Sequence, residues 1–236
     1  MEALDINKTI LEFLFKDPLL NMGMLVPLQR KTANVLYAAD DGVCLQDVIS
    51  GAYMLSVASC DVGIKLLDLL PDEGLFTIHQ DFMLDAIKKK VRYSTLMENY
   101  QAVYFYKDRL PNVGDLKIKP LDLRCFDIIN DSYDIDVGED YLRDRLESGN
   151  IFGGFSEGDF VGFIGIHAEG SIGLLKVFDQ YCRRGFGRAL THFAVNHQLK
   201  NRITPFVQIG VSNEVSLSLV RKIGFTVSEG RVYWLF

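Results

Sequence analysis

The stretch LLKVFDQYCRRGFGRAL, Leu174 to Leu190, constrains this chain more than any other. Leu174 to Val177 is an apolar, strand-like run. A short polar loop with two arginines follows, and Gly185-Phe186-Gly187 then turns the chain into an amphipathic segment. A strand feeding a glycine-bearing loop that opens a helix makes an anion site. The first helical turn carries backbone N–H groups with no intrahelical partner, and the helix dipole favours negative charge there. Glycines let that backbone approach a phosphate closely, since no Cβ intervenes. Lys176, Arg183, Arg184 and Arg188 stand against a single acid, Asp179, in a chain of net charge −6. The local charge points to a phosphorylated small molecule.

The surrounding sequence extends the pattern. Val161 to His167 and Ser171 to Val177 read as two strands joined by a tight Ala168-Glu169-Gly170 turn. Pro205 to Asn213 is a strand ending in an Asn. Leu217, Val220 and Ile223 then fall at helical spacing before Gly224 stops the helix. The chain finishes in RVYWLF, a β-forming aromatic run.

This order over roughly Leu116 to Phe236 resembles the GCN5-related N-acetyltransferase (GNAT) superfamily. The final stretch, with pF-x-Q, N-x-x-S, G-F and Y-W, looks closest to its glycine N-acyltransferase-like (FR47-like) branch. The resemblance implies an α/β fold, with a mixed, mostly antiparallel sheet flanked by helices in the C-terminal half. It also implies acetyl-coenzyme A as cosubstrate, its pyrophosphate on the backbone amides of a Q/R-x-x-G-x-G/A loop. That loop would be Cys182, Arg183, Arg184, Gly185, Phe186 and Gly187, continuing into Arg188; Cys182 departs from the pattern at its first position. Leu175, Lys176 and Val177 would lend backbone groups to the pantetheine arm, and Asn213 and Ser216 would face the cofactor. In the pattern N-x-x-A/S-x-x-x-Y, the Tyr that commonly protonates the leaving thiolate would stand at Val220, so it is missing here. A dinucleotide-binding fold would need G-x-G-x-x-G, and no third glycine follows Gly185 and Gly187 at the required place.

Composition narrows the classes. Sixteen Phe and ten Tyr in 236 residues allow a substantial core. Residues 1–115 carry 11 basic and 16 acidic side chains and residues 116–236 carry 14 and 15, so the imbalance sits in the N-terminal half and argues against a nucleic-acid surface there. No segment reaches the roughly 18 to 20 apolar residues of a membrane span. The acidic, amphipathic start MEALDINKTILEF is unlike a secretory signal. Cys44, Cys60, Cys125 and Cys182 are widely spaced, so free thiols in a reducing cytoplasm are expected.

The clearest boundary is Lys107 to Asp122, with two prolines and a glycine. It predicts an N-terminal α/β domain over 1–111 and the catalytic domain over 112–236. In the second half, Leu116 to Leu121 and Ile151 to Phe155 read as strands, and Leu123 to Asn130 and Asp140 to Leu146 as helices. In the first half, Asp5 to Phe15 reads as an amphipathic helix with Ile6, Ile10, Leu11 and Leu14 on one stripe. Ala52 to Val57, Gly74 to Ile78 and Tyr100 to Tyr106 read as strands, Val62 to Leu70 and Asp81 to Arg92 as helices. This tempo is similar to that of the C-terminal half without a G-x-G loop, as expected of a degenerate second copy.

Acyl transfer to a primary amine needs a base for the amine and stabilisation of the developing charges. His167 and Glu169 flank the hairpin turn and, two residues apart, can face one side; they are the candidate catalytic residues, and a plain polar hairpin tip is the alternative. His192 and His197 read as surface or packing residues. Asp127, Asp131 and Asp134 lack fixed ligand spacing, so no metal site is expected. The sequence thus predicts an N-acyltransferase acting on a small-molecule amine, as monomer or homodimer, without nucleic-acid or membrane partners. The alternative is a coenzyme A-binding regulatory module that has lost its chemistry.

Overall fold

The computed structural model describes residues 2–133 and 137–236. In chain order the regular elements are α1 (Glu2–Leu14), α2 (Met22–Arg30), β1 (Ala33–Ala39), β2 (Gly42–Asp47), β3 (Tyr53–Val57), α3 (Cys60–Leu66), β4 (Phe76–Ile78), α4 (Leu84–Lys90) and β5 (Leu96–Val103). They continue as β6 (Lys117–Pro120), α5 (Phe126–Ser132), α6 (Glu139–Glu147), β7 (Ile151–Ser156), β8 (Asp159–Ile166), β9 (Ile172–Val177), α7 (Phe186–Lys200), β10 (Phe206–Gly210), α8 (Glu214–Ile223) and β11 (Thr226–Leu235). The fold is mixed α/β with mostly antiparallel strands, as expected.

By contact density the chain forms two compact units, Met1–Val103 with Gln208–Phe236, and Tyr104–Val207. The sequence reading broke the chain near Pro111 and kept 112–236 together. In the structure the stretch after Val207 belongs instead with the first unit, because β11 closes that unit's sheet. Its final residues pair antiparallel with β4 (Tyr233↔Ile78) and with β5 (Val232↔Asn99).

The first unit orders its strands β1-β2-β3-β4-β11-β5, with β3 and β4 parallel. Its core packs Cys44, Leu55, Phe76, Ile78, Met83, Ile87 and Leu235. On α1 the buried stripe is Ile10, Phe13 and Leu14, whereas Leu11 is 40% exposed. The spacing i, i+3, i+4 holds, but the stripe is rotated from the expected one; the side chain of Ile6 lies outside the described residues. The Lys88-Lys89-Lys90 run ends α4, where cations suit the helix dipole, and Lys90 pairs with Asp72 at 3.2 Å.

The second unit orders β9-β8-β7-β6, all antiparallel, around Leu121, Phe126, Ile129, Leu142, Leu146, Ile151, Phe163 and Leu174. Leu174 has φ 51, and the β8–β9 register shifts between Phe163 and Gly165. This is a bulge: one extra β9 residue turns the following Leu175–Val177 backbone relative to its neighbour. Gly162 lies opposite, and a Cβ there would stand 2.3 Å from the Lys176 carbonyl oxygen. The close approach admits only glycine. On its other edge β9 is bonded in parallel at one position, Val207↔Ile172.

Candidate functional site

The loop after β9 is built to leave donors open. A 3-10 turn over Asp179–Tyr181 carries the chain off the strand, and Cys182 is extended. Arg183 and Gly185 then adopt left-handed backbone, with φ 61 and 85. Gly185 is the N-cap of α7 and has no side chain to satisfy the first-turn amides. The first intrahelical bond comes from Ala189 N–H to Gly185 O at 3.0 Å. The N–H groups of Phe186, Gly187 and Arg188 therefore precede the helical ladder.

Charge at this end is inverted from the usual pattern. α3, α6 and α8 carry acids in their first turns, namely Asp61, Glu139 with Asp140, and Glu214. α7 carries none there and instead has Arg184 before the cap and Arg188 within the turn. Cations at the positive end of a helix dipole cost about 0.3–1 kcal/mol each unless an anion offsets them. Arg184 lies over the rings of Tyr181 and Phe186, 5.8 and 5.1 Å from their centroids. Tyr181 is itself held by a hydrogen bond to Asp159 of 3.0 Å. Arg183, Arg184 and Arg188 are exposed, while Phe186, Gly187 and residues Leu175, Lys176 and Val177 are half-buried. Cys182 is exposed, and its thiol points back to Val177 O at 3.6 Å.

His167 and Glu169 do not form a solvated hairpin tip. Glu169 is 7% exposed and accepts a hydrogen bond from the Ser171 hydroxyl. Gln198 of α7 donates to Gly170 O at 3.0 Å, which ties the turn to the helix. His167 Nδ1 lies 2.7 Å from the Tyr141 hydroxyl, and Ala168 N–H donates to that same oxygen at 3.3 Å. One hydroxyl oxygen thus holds both the imidazole and the backbone of the turn. Burial pushes the Tyr141 phenol up and the His167 imidazole down, which keeps both neutral. The ring lies against Gly173, where a Cβ would stand 2.2 Å from Nε2. Arg145, with 6% of its side chain exposed, pairs with Asp144 and sits 5.8 Å from the Tyr141 ring. Tyr141 and Arg145, which meet the turn only through tertiary packing, leave no signal in the sequence around it, whereas Ser171 stands two residues from Glu169.

Asn213 and Ser216 lie in the other compact unit, where Asn213 Oδ1 caps α8 by accepting Ser216 N–H at 3.0 Å. Val220, four residues further along α8, is 4% exposed and faces the core. His192 is buried and bonds Pro111 O through Nδ1 at 2.8 Å; His197 packs 5.0 Å from Phe152. Both are packing residues. Asp127 and Asp131 are exposed on α5, and Asp134 lies outside the described residues. Among the described residues no group of three or more His, Cys, Asp or Glu could hold a metal ion, and no helix is long and apolar enough to cross a membrane.

Comparison with known proteins places this geometry. Residues 154–235 match the family described as FR47-like protein. No curated protein sequence matches the chain. Among solved structures, a Drosophila protein is similar with 13% identity and a TM-score of 0.69, over 100% of this chain and 97% of that one. A GCN5-related N-acetyltransferase-like protein from Streptococcus suis is similar with 13% identity and a TM-score of 0.56, over 100% and 99%. An acetyltransferase of the GNAT family from Colwellia psychrerythraea is similar with 13% identity and a TM-score of 0.52, over 96% and 97%. Residues 154–235 thus carry an FR47-like domain, and the fold of the chain is that of the GCN5-related N-acetyltransferase superfamily.

Proposed function

We propose that the chain is an N-acyltransferase that takes its acyl group from acetyl-coenzyme A and passes it to a primary amine of a small molecule. The observation that carries this reading is the start of α7: open first-turn amides, a glycine cap and arginines where α3, α6 and α8 place acids. The amides of Phe186, Gly187 and Arg188 would hold the pyrophosphate, with Arg183, Arg184 and Arg188 neutralising it. Backbone groups of Leu175, Lys176 and Val177, turned by the bulge at Leu174, would align the pantetheine arm.

The thioester supplies an activated acyl group; the protein must supply a neutral amine and a proton acceptor. Tyr141 engages His167 at Nδ1 and the ring packs against Gly173, and we assign the acceptor role to Glu169, which keeps lone pairs beyond its bond to Ser171. Tyr141, Arg145 and Ser171 would then position that carboxylate.

The first half fits a degenerate copy of the same motif. β3–α3–β4 and β9–α7–β10 are both strand, helix, parallel strand. At the head of α3, however, Ser59 accepts Val62 N–H at 3.4 Å, filling the site that Gly185 leaves open at α7. The buried Val220 favours a second reading, a coenzyme A-binding module without turnover.

Thermal unfolding with coenzyme A tests the binding step. A ligand at 100 times its dissociation constant adds about 2.7 kcal/mol to the native state. Coenzyme A is expected to raise the melting temperature, and adenosine or pantetheine much less; a rise with NAD and none with coenzyme A overturns the proposal. A screen of amines with acetyl-coenzyme A, following thiol release, separates enzyme from binding module.

A further inference from the structure

The first compact unit contains a second polar convergence that acyl transfer does not use. His79, directly after β4, is 1% exposed. Its Nδ1 lies 3.1 Å from Leu55 O, a carbonyl that can only accept, so the ring proton sits on Nδ1 and Nε2 presents a lone pair. That Nε2 has no hydrogen-bond partner among the described residues. A buried acceptor left unpaired costs roughly 1–3 kcal/mol, so an orphan of this kind marks an occupant.

Two glutamines converge on the same point. Gln208 of β10 accepts the Trp234 indole N–H at 2.6 Å and donates one amide proton to Gln101 Oε1 at 2.9 Å. Gln101 in turn donates to Leu19 O and Leu20 O, at 3.1 and 2.8 Å. These bonds fix the orientation of both amides and leave the second Nε2 proton of Gln208 to be placed. The gap is roofed by Gly23 of α2. A Cβ there would stand 3.3 Å from Gln208 Nε2, 3.5 Å from His79 Nε2 and 3.6 Å from Gln101 Oε1. A bare Cα thus faces an unused donor and an unused acceptor. Gln208 is half-buried, which gives the notch a partly solvated wall.

We infer that the notch under Gly23 is a socket for one hydroxyl group, held between the lone pair of His79 Nε2 and the free amide proton of Gln208. A hydroxyl donates to the first and accepts from the second. An ammonium can do only the first and a carboxylate only the second. The hydroxyl comes from a water molecule or from an alcohol that displaces it.

Imidazole ¹⁵N spectra of the full-length protein test the inference. In the wild type, His79 is expected to carry its proton on Nδ1, with Nε2 shifted from the free-acceptor position by a hydrogen bond. In Gly23→Ala, whose methyl fills the notch, Nε2 should move to the free-acceptor position. Methanol separates the two sources. A saturable further shift, absent in Gly23→Ala, identifies a socket that accepts alcohols, and no shift identifies a held water; methylammonium should do nothing. A wild-type Nε2 already at the free-acceptor position overturns the inference, and that measurement stands even if Gly23→Ala does not fold. A methylammonium effect as large as that of methanol overturns it equally.

Discussion

The Tyr141 hydroxyl and His167 Nδ1 share a hydrogen bond of 2.7 Å, while the same oxygen takes Ala168 N–H from the turn beside it. One hydroxyl therefore holds both a histidine ring and the backbone of the hairpin that carries Glu169. Tyr141→Phe removes the bonds to His167 Nδ1 and Ala168 N–H in a buried place. It should lower stability by about 1–3 kcal/mol in denaturant titration. Gly173→Ala should break the same contact from the other side, since its Cβ would stand 2.2 Å from His167 Nε2. If the two variants leave the His167 ¹⁵N spectrum unchanged, the relationship is not present in solution.

Glu169→Gln keeps the shape of the turn and the bond from Ser171 but removes the proton acceptor. Positioned bases contribute about 10²–10⁴-fold, so turnover with a saturating amine should fall by that order while coenzyme A still raises the melting temperature. His167→Gln should reduce turnover less, because Nδ1 is already engaged by Tyr141. Equal turnover in Glu169→Gln and wild type removes Glu169 from the reaction.

Histidine burial gives stability a definite pH slope. Burial pushes His79 down to about 4 from an ordinary value of 6.5, and lowers His167 as well. Between those limits the unfolded chain takes a proton that the folded chain refuses, so folding stability falls as pH drops from about 6.5 towards 4. For His79 alone the full swing is roughly 3 kcal/mol. The non-titrating variant His79→Gln should show a shallower loss over that window in urea titrations at pH 7, 5.5 and 4. Parallel wild-type and variant curves would contradict the assignment.

Gly187→Glu puts bulk and negative charge where the first-turn amides are expected to meet phosphate oxygens. It should abolish the thermal stabilisation by coenzyme A with the far-ultraviolet circular dichroism unchanged. Arg188→Gln keeps the amide and should weaken binding less. A Gly187→Glu protein that binds coenzyme A like the wild type refutes the loop assignment.

What the sequence revealed is mainly what is local. Gly185 and Gly224 stand at left-handed helix caps and Asn213 at a helix N-cap, each readable from its own neighbours. The hairpin of β1 and β2 went unread, although Asp41-Gly42 is a turn signal between β-forming runs. The sequence predicts a strand over Tyr100 to Tyr106, whereas β5 runs Leu96–Val103, because Glu98, Asn99 and Gln101 disguise its start. Their partners are distant in the chain: Glu98 pairs with Arg231 at 2.9 Å, and Gln101 holds the Leu19 and Leu20 carbonyls. Glu169 looked like an exposed tip for the same reason. Its burial comes from packing and its neighbour Tyr141 from α6, and neither leaves a mark in the sequence around it.

Val220→Tyr restores the residue that the acetyltransferase pattern places in the last helix, but the structure changes what that test reports. Val220 is 4% exposed on the core face of α8. A phenol there overpacks the core, at a cost of about 1–3 kcal/mol. The variant should melt below the wild type, and any gain in turnover must be read per folded molecule. A melting temperature at or above that of the wild type would mean that the core has room for the ring and the comparison of rates is clean.

Cysteine reactivity offers a check on the loop that needs no substrate. Cys182 is exposed at the first position of the phosphate-loop pattern, whereas Cys44 is fully buried and burial pushes its thiol up to about 12. The thiolate is the reactive form, so in the folded protein iodoacetamide should modify Cys182 readily and Cys44 only on unfolding. If the loop holds the pyrophosphate of coenzyme A, saturating coenzyme A should slow modification of Cys182. The half-buried Cys60 and Cys125 serve as internal controls whose rates should not change. Mass spectrometry of tryptic peptides after timed quenches reads all four cysteines in one experiment. Slowing at every site would report global stabilisation alone. Selective slowing at Cys182, lost in Gly187→Glu, places the ligand on the loop, and unchanged reactivity at Cys182 under saturation places it elsewhere.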